Sequence, residues 1–247
     1  MENYNQNRFG DNRFSDYTVV GSSARPVSKT YMASVFLWMF AGLGISALFA
    51  FIFASNMSLM MEVFTTPLRW VIMLAPFAFL LVMQFGIQRL SVGMMTLLFI
   101  LFSVTMGISL SAILLVYTAG SVIGCFTAAS AMFGVMALLG YTTDKDLTSF
   151  GRIMFMGLIG IVIASLINMF IGSSRMDYII SIIGVAVFTG LTAYDVQMLK
   201  RVGAGIEYEG TGAAEAKKLS IMGALRLYLD FINLFLMLIR LFGGRRN

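Results

Sequence analysis

Two aspartates lie within apolar stretches near the carboxyl end of the sequence. Asp195 follows an apolar run of helix-forming residues, and Asp230 lies deeper inside a second such run. If these runs span a membrane, each ionised carboxyl costs at least about 2.5 to 3.5 kcal/mol and requires a partner, a water-filled cavity or a function. Two carboxylates in contact at low dielectric cannot both ionise cheaply, so one would hold a proton. Such a pair would respond to pH.

The same pair could accept a cation when it is deprotonated. Carboxylate oxygens suit calcium, but two carboxylates fall short of the about six to eight oxygens that calcium takes, which favours transient over tight binding. Arg226 precedes Asp230 by four residues and shares its helical face. An ion pair between them would neutralise both charges and only stabilise the bundle. The residues alone leave the ion-pathway and the structural interpretations open.

Residue types that are absent or rare exclude several kinds of chemistry. The chain has no histidine, the commonest zinc ligand and general base, and its single cysteine, Cys125, leaves no intrachain disulfide to form. In so apolar a chain, the net charge of +5 indicates orientation and contact with anionic lipid. We therefore expect no zinc hydrolase, no Ser-His-Asp triad, no cofactor and no nucleic-acid partner.

The composition is that of a membrane protein. Of 247 residues, 59% are hydrophobic and 12% are charged, and the mean hydropathy is +0.87. Because lipid cannot hydrogen-bond the backbone, apolar runs of about 20 residues predict spanning helices. The sequence predicts an all-α, polytopic membrane protein, a bundle of seven transmembrane helices. They cover residues 31–53, 68–87, 95–116, 122–139, 150–171, 178–199 and 221–242.

Three parts are expected along the chain. Residues 1–29 are predicted to form a polar, disordered amino-terminal tail, residues 30–242 the seven-helix membrane domain, and residues 243–247 a short basic carboxyl-terminal tail. The longest connection, residues 201–220, is rich in glycine and charge and is predicted to be a flexible, solvated loop.

The distribution of basic residues predicts the orientation. With the amino terminus in the cytoplasm, eleven Lys and Arg residues fall on the inner side and four on the outer side. An odd number of spans then places the carboxyl terminus outside, unless the last segment is re-entrant. That segment is polar, with Arg226, Asp230, Asn233 and Arg240, and is expected to be central in the bundle or only partly inserted. The composition fits a bacterial inner membrane.

Three stretches resemble the bacterial branch of the Bax inhibitor-1 family. They are residues 140–148 (GYTTDKDLT) between the fourth and fifth spans, residues 193–197 (AYDVQ) ending the sixth, and residues 227–235 (LYLDFINLF) in the seventh. The third stretch is the most specific. With the seven-helix layout, the resemblance covers nearly all of residues 31–242.

The resemblance implies a seven-helix bundle with the last helix at its centre and a pair of aspartates acting as a pH-sensitive latch on a calcium leak pathway. Matching residues assign the two positions to Asp195 and Asp230. Tyr194 and Asn233 lie beside them in the same stretches and are expected to support them.

Family members also place a basic residue near the end of the second span, where it engages the aspartate pair. In this sequence Arg89 is the nearest candidate, within the stretch QFGIQR that ends the span. Arg226 is the alternative counter-charge.

The leading functional hypothesis is a pH-gated cation leak, in which calcium is the transported ion and Asp195 and Asp230 set the open fraction. The alternative is a membrane adaptor that modulates a membrane protease or a cell-death machinery without conducting ions. In that case, function would depend on the polar tail or on residues 140–149.

An enzymatic hypothesis comes from intramembrane aspartyl proteases, which carry one aspartate on each of two neighbouring helices, with a Tyr-Asp pair on the first. Tyr194 and Asp195 fit that first half. The second aspartate of such proteases follows glycines that let substrate backbone approach, whereas Leu227, Tyr228 and Leu229 precede Asp230 here. We therefore expect no enzymatic activity.

Overall fold

A computed structural model describes residues 27–246, so the predicted polar tail lies almost entirely outside the described residues. Seven of the described helices are long and apolar enough to cross a bilayer, which confirms the predicted all-α bundle of seven spans. With the short α2, the helices are α1 (Val27–Ser55), α2 (Met57–Thr65), α3 (Leu68–Gly86), α4 (Val92–Val116), α5 (Ala119–Thr142), α6 (Thr148–Ile171), α7 (Ser174–Glu209) and α8 (Ala213–Phe242).

Helix α2 was not predicted from the sequence. It begins after Asn56, whose side-chain oxygen accepts hydrogen bonds from the amides of Ser58 and Leu59. These bonds satisfy backbone donors that the first turn leaves unpaired. Met60 and Val63 are the buried residues of this helix, which is too short to span a membrane.

The predicted loop over residues 201–220 is wrong. Helix α7 continues to Glu209, and α8 begins at Ala213, so only three residues separate them. Gly210 ends α7 in the left-handed conformation, with φ of 63°, a backbone conformation that glycine adopts without steric cost. The helices extend beyond their apolar parts, and Asp195 therefore lies well before the end of α7 rather than at its last turns.

The last helix crosses the whole bundle. At its start, the Tyr31 hydroxyl of α1 donates to the Leu219 carbonyl, so α1 and α8 begin at one end of the bundle, here called the amino-terminal end. At its finish, the Thr118 amide donates to the Gly244 carbonyl, which places the end of α8 beside the α4–α5 connection at the opposite, carboxyl-terminal end. The structure thus excludes a re-entrant course for α8.

Helix α8 is also the centre of the bundle. Within its apolar window 72% of the residues are buried, whereas the figure for α6 is 6%. It packs against α1, α4, α5 and α7. The predicted central position of the last helix is confirmed, and the outer helices present large apolar side chains such as Phe85 and Phe170 to the surroundings.

Helices α1 and α4 approach each other closely at Gly107. A Cβ atom at this position would lie 2.5 Å from the carbonyl oxygen of Ser46. In the same place the Ser46 hydroxyl donates a 2.6 Å hydrogen bond to the Ser103 carbonyl. Small residues allow such contacts in membranes, where packing and hydrogen bonds replace the hydrophobic effect between helices.

We predict that Gly107→Ala lowers the thermal unfolding temperature of the purified protein, because the added methyl group must displace the α1 backbone, at about 1 to 3 kcal/mol. Gly160→Ala in α6 is the matched control, since nothing lies within 4 Å of a Cβ there. Unfolding is measured by dye labelling of the single, buried Cys125. Equal unfolding temperatures for the two variants would contradict the close contact.

Candidate functional site

Asp195 on α7 and Asp230 on α8 are the two buried residues of charged type in the part of the chain that the structure describes. Their relative exposures are 2% and 6%. The two carboxyl groups lie close enough to each other to interact electrostatically. The structure therefore brings together the two aspartates that the sequence singled out.

Arg226 joins this pair from α8. Its Nε donates a 2.6 Å hydrogen bond to Oδ2 of Asp195, and the same contact is an ion pair. The Asp195 side chain is 3% exposed and that of Arg226 is 44% exposed, so one partner is enclosed and the other reaches an open surface. The contact links α7 to α8, whereas the structural interpretation of the sequence had placed the ion pair within α8.

The charges of these three residues do not balance. One guanidinium faces two carboxyl groups, and Oδ1 of Asp195 and Oδ2 of Asp230 are buried without a hydrogen-bond partner among the described residues. An unpaired carboxylate in a low-dielectric interior is strongly unfavourable. In this arrangement, one of the two carboxyl groups must therefore carry a proton or bind a cation.

Small residues allow α7 and α8 to lie close together around this site. A Cβ atom at Gly184 of α7 would lie 2.7 Å from the Met237 sulfur of α8. A Cβ atom at Gly223 of α8 would lie 2.8 Å from Leu199 of α7. Because these contacts lie on either side of Asp195 and Asp230 along the helices, they fix the distance between the two backbones that carry the carboxyls.

Two clefts reach Arg226 from outside. One, of about 470 Å³, extends from Ile87 at the end of α3 past Gln84 to Arg226. The other, of about 390 Å³, lies between α6 and α7, where Tyr194 and Gly151 line it together with Arg226. The half-exposed guanidinium thus lies between the buried Asp195 and space that opens outward at the amino-terminal half of the bundle.

The carboxyl pair falls short of a resident metal centre. In the described chain, no group of three or more His, Cys, Asp or Glu side chains could hold a metal ion. Two carboxyl groups supply fewer oxygens than the about six to eight that calcium takes. Any cation bound between Asp195 and Asp230 would need water for most of its ligands.

A second polar cluster holds α7 to the α5–α6 connection, next to the site. The buried Gln197 side chain donates to the Lys145 carbonyl at 2.7 Å and accepts from the Leu147 amide at 2.9 Å. Arg201 also donates to Gln197, at 2.9 Å. We call these contacts the Gln197 clip. It joins two of the three stretches on which the family resemblance depends.

Asp146 completes the Gln197 clip at its exposed edge. The Thr148 hydroxyl and the Arg201 guanidinium each donate a 2.6 Å hydrogen bond to it. These bonds, first that from the Thr148 hydroxyl and then that from Arg201, lower the pKa of Asp146 well below its ordinary value. A depressed carboxyl pKa stabilises the fold above the ordinary pKa, and that contribution is lost as pH falls through the lowered pKa.

A third polar contact lies next to Asp230 on α8. Tyr228 is fully buried, and its hydroxyl lies 2.7 Å from the Ser46 hydroxyl, which in turn donates to the Ser103 carbonyl. This network joins α8, α1 and α4. It satisfies the Tyr228 hydroxyl inside the bundle, where an unpaired hydroxyl would be unfavourable.

The other predicted site residues are Tyr194, Asn233 and Arg89, and the structure brings only the first of them to the site. Tyr194 packs against Gly151 and lines the cleft beside Arg226, so it lies at the site. Asn233 is partly buried on α8, and in the described chain no hydrogen bond joins it to either carboxyl. Arg89 is exposed in the α3–α4 connection and forms no ion pair with the described residues, so the counter-charge at Asp195 is Arg226.

The residues that sequence reasoning missed are Gln197, Arg201, Ser46 and Ser103. Gln197 lies in the stretch AYDVQ, and the available signal was that a second polar residue follows Asp195 within the predicted sixth span. The two serines gave none, because small hydroxyl side chains are common packing residues in membrane helices.

Comparison with known proteins places these residues in a wider context. Residues 28–247 match the profile of the family described as "Inhibitor of apoptosis-promoting Bax1". The chain is 48% identical over 220 residues to the Inner membrane protein YbhL of Escherichia coli K12, covering 88% of this chain and 93% of that protein. It is 40% identical over 223 residues to an uncharacterized protein of Borreliella burgdorferi, covering 90% and 94% of the two chains. A Deinococcus radiodurans protein is 40% identical over 217 residues, covering 88% and 91%.

Removing Arg226 alone should destabilise the protein strongly. Arg226→Gln leaves the buried Asp195 without its counter-charge, and breaking a buried pair in this way costs about 3 to 5 kcal/mol. The double variant Asp195→Asn with Arg226→Gln should recover most of the loss, because no buried charge is then unpaired. Thermal unfolding of the two single variants and the double variant measures this coupling. Additive effects would show that the ion pair does not hold α7 to α8.

The Gln197 clip should stay closed between pH 8 and pH 5. Because the pKa of Asp146 is lowered, protection of the Leu147 and Thr148 amides from hydrogen exchange, corrected for the intrinsic rate, should decrease only below about pH 4. Arg201→Gln should reduce this protection at every pH, whereas the exposed Lys217→Gln should not. Loss of protection between pH 8 and pH 5 would contradict the assignment.

Proposed function

From the membership of this chain in the Bax inhibitor-1 family, which the match over residues 28–247 establishes, we propose that the protein is a pH-sensitive cation leak channel with calcium as its favoured ion. The name of the Escherichia coli relative supports a bacterial inner membrane as the location, and the distribution of basic residues supports a cytoplasmic amino terminus. Calcium is cargo in this proposal, and neither a resident cofactor nor an enzymatic reaction is assigned.

The ion pair between Asp195 and Arg226, with Asp230 beside it, is the observation that carries the proposal. Burying a charged residue among membrane helices is costly, so such residues are rare. Where they occur, they usually belong to an ion or proton pathway or form a pair that stabilises the bundle. A purely stabilising pair needs one carboxylate for one guanidinium. The additional carboxyl of Asp230 does not stabilise such a pair, because burying it costs free energy. It does give the site a group that can bind and release a proton.

We call the Asp195–Arg226 pair the latch. With one proton shared by Asp195 and Asp230, the three groups are neutral together and the latch is closed, as in the structure. A second proton would neutralise Asp195 and abolish its attraction to Arg226. The guanidinium is already half-exposed to a cleft and could then leave the site. Acidification therefore opens the latch.

The latch matters because α8 blocks the route beyond it. Leu227, Tyr228 and Leu234 of α8 are fully buried on the same helix as Asp230. Phe231 packs edge-on against Phe126 of α5, with ring centroids 5.3 Å apart. A cation that reached the carboxyls through a cleft would have no onward path unless α8 moved, and release of the latch frees α8 to move.

The test is calcium influx into liposomes that contain the purified protein and a calcium dye, between pH 8 and pH 5. Flux in the wild type should rise at least about threefold as pH falls, because protonation breaks the latch. Asp195→Asn should give high flux at every pH, since the latch is absent. Asp230→Asn should give low flux at every pH, since Asp195 and Arg226 then form a one-to-one ion pair that has no shared proton to exchange.

Asp144→Asn is the matched control, because Asp144 is exposed in the α5–α6 connection and forms no ion pair within the described chain. It should behave as the wild type does. Absence of flux above empty liposomes at every pH would contradict the channel proposal and favour the adaptor. Flux with the same pH dependence in all variants would contradict the role of the latch while leaving conduction intact.

A further inference from the structure

A polar cleft of about 460 Å³ lies at the carboxyl-terminal end of the bundle, away from the latch. It lies between the end of α6, the start of α7 and the end of α8. Its polar and charged lining residues include Asn168, Ser173, Asp177, Arg240 and Arg245. Its volume falls within the roughly 300 to 1,000 Å³ of small-molecule sites.

The segment that follows α8 is held in place beside this cleft. The Thr118 amide donates to the Gly244 carbonyl at 3.0 Å, and the Arg246 amide donates to the Val116 carbonyl at 2.8 Å. Arg245, between them, pairs with Tyr117 in an isolated antiparallel bridge. Backbone hydrogen bonds thus fix the position of Arg245 at the rim instead of leaving it on a free tail.

The charge of the cleft is positive. Arg240 and Arg245 contribute two guanidinium groups, and Asp177 contributes the one carboxylate that lines it. Arg240 and Asp177 are 3.9 Å apart, and both are at least 40% exposed. So long and exposed an ion pair is weak. Both arginines therefore keep donors that can bind a ligand.

Neutral donors lie beside the arginines. The side-chain oxygen of Asn168 accepts from the Ser173 amide at 3.0 Å, which leaves the amide hydrogens of Asn168 to donate elsewhere. The Ser173 oxygen accepts from the Met176 amide at 3.4 Å, which leaves its hydroxyl hydrogen. Arginine forks combined with hydroxyl and amide donors are the usual partners of phosphate oxygens.

We propose that this cleft binds a phosphate-bearing anion through Arg240 and Arg245. The ligand is either the phosphate of an anionic phospholipid headgroup or a soluble phosphate, since both present the same oxygens. Arg240 lies near the end of the apolar part of α8, next to the exposed Phe242, which is the level where headgroups meet water. A bound phosphate would bridge the start of α7 and the end of α8. The site does not depend on conduction.

The test uses the full-length purified protein in detergent and follows its unfolding temperature through labelling of Cys125. Two probes are titrated separately: inorganic phosphate, and phosphatidylglycerol with phosphatidylcholine as the zwitterionic comparison. Phosphate also stabilises proteins by general exclusion from their surface, so each shift is compared with that of a variant under the same conditions. The dependence of the shift on probe concentration gives an apparent affinity.

Arg240→Gln and Arg245→Gln should each lower this affinity about tenfold, the effect of losing one charge-assisted contact. Asp177→Asn should raise this affinity, because it removes a negative charge that repels the anionic ligand. Arg175→Gln is the matched control, since Arg175 is exposed at the same end but does not line the cleft. It should bind as the wild type does.

If phosphatidylglycerol raises the unfolding temperature and inorganic phosphate does not, the ligand is a lipid headgroup. If inorganic phosphate also raises the unfolding temperature, the cleft accepts a soluble phosphate. Both results support the site. No stabilisation by either probe would overturn the proposal. So would an equal loss of affinity in Arg175→Gln and Arg245→Gln, because surface charge in general would then explain the binding.

Discussion

The cost of burying charge among membrane helices governs this structure. Asp195 and Asp230 are enclosed, and a single guanidinium, that of Arg226, faces them. Because the low-dielectric interior penalises the uncompensated carboxylate, the closed bundle must hold a proton or a cation at that point. The same imbalance is the reason for our proposal that the site responds to pH. A simple one-to-one ion pair would be more stable and would have nothing to exchange.

The rest of the fold positions these three groups. Helix α8 is the most enclosed helix of the bundle, so a shift of α8 would disturb its contacts with α1, α4, α5 and α7. Glycines let α7 and α8 lie close together on either side of the carboxyls. The Gln197 clip fixes α7 to the α5–α6 connection two residues beyond Asp195, and Tyr228 fixes α8 to α1 two residues before Asp230. Each aspartate therefore lies two residues from a hydrogen-bonded contact that holds its helix in place. Such contacts keep the two carboxyls at a fixed separation, on which their interaction depends.

Hydrophobic runs and isolated charges were enough to predict the seven spans and the central last helix. They were also enough to identify Asp195 and Asp230 as a possible pair, with Arg226 as a possible counter-charge. The continuation of α7 to Glu209 was not predictable in this way, because glycines and charges within residues 201–212 are typical of loops and only the bundle shows that they remain helical. The Gln197 clip depends on a contact between residues 52 positions apart, and local patterns do not contain such contacts. The family resemblance implied a basic residue near the end of the second span, and Arg89 was the nearest candidate along the chain. The fold instead leaves Arg89 exposed.

In the proposed mechanism, one of the two carboxyls is protonated while the latch is closed. Infrared spectroscopy of the protein in lipid measures this directly, because a protonated carboxyl has a carbonyl stretching band that a carboxylate lacks. We expect this band at pH 7 in the wild type, a stronger band at pH 5, and no band at pH 7 in Asp230→Asn. A wild-type protein without a protonated carboxyl at pH 7, in the absence of calcium, would contradict the account.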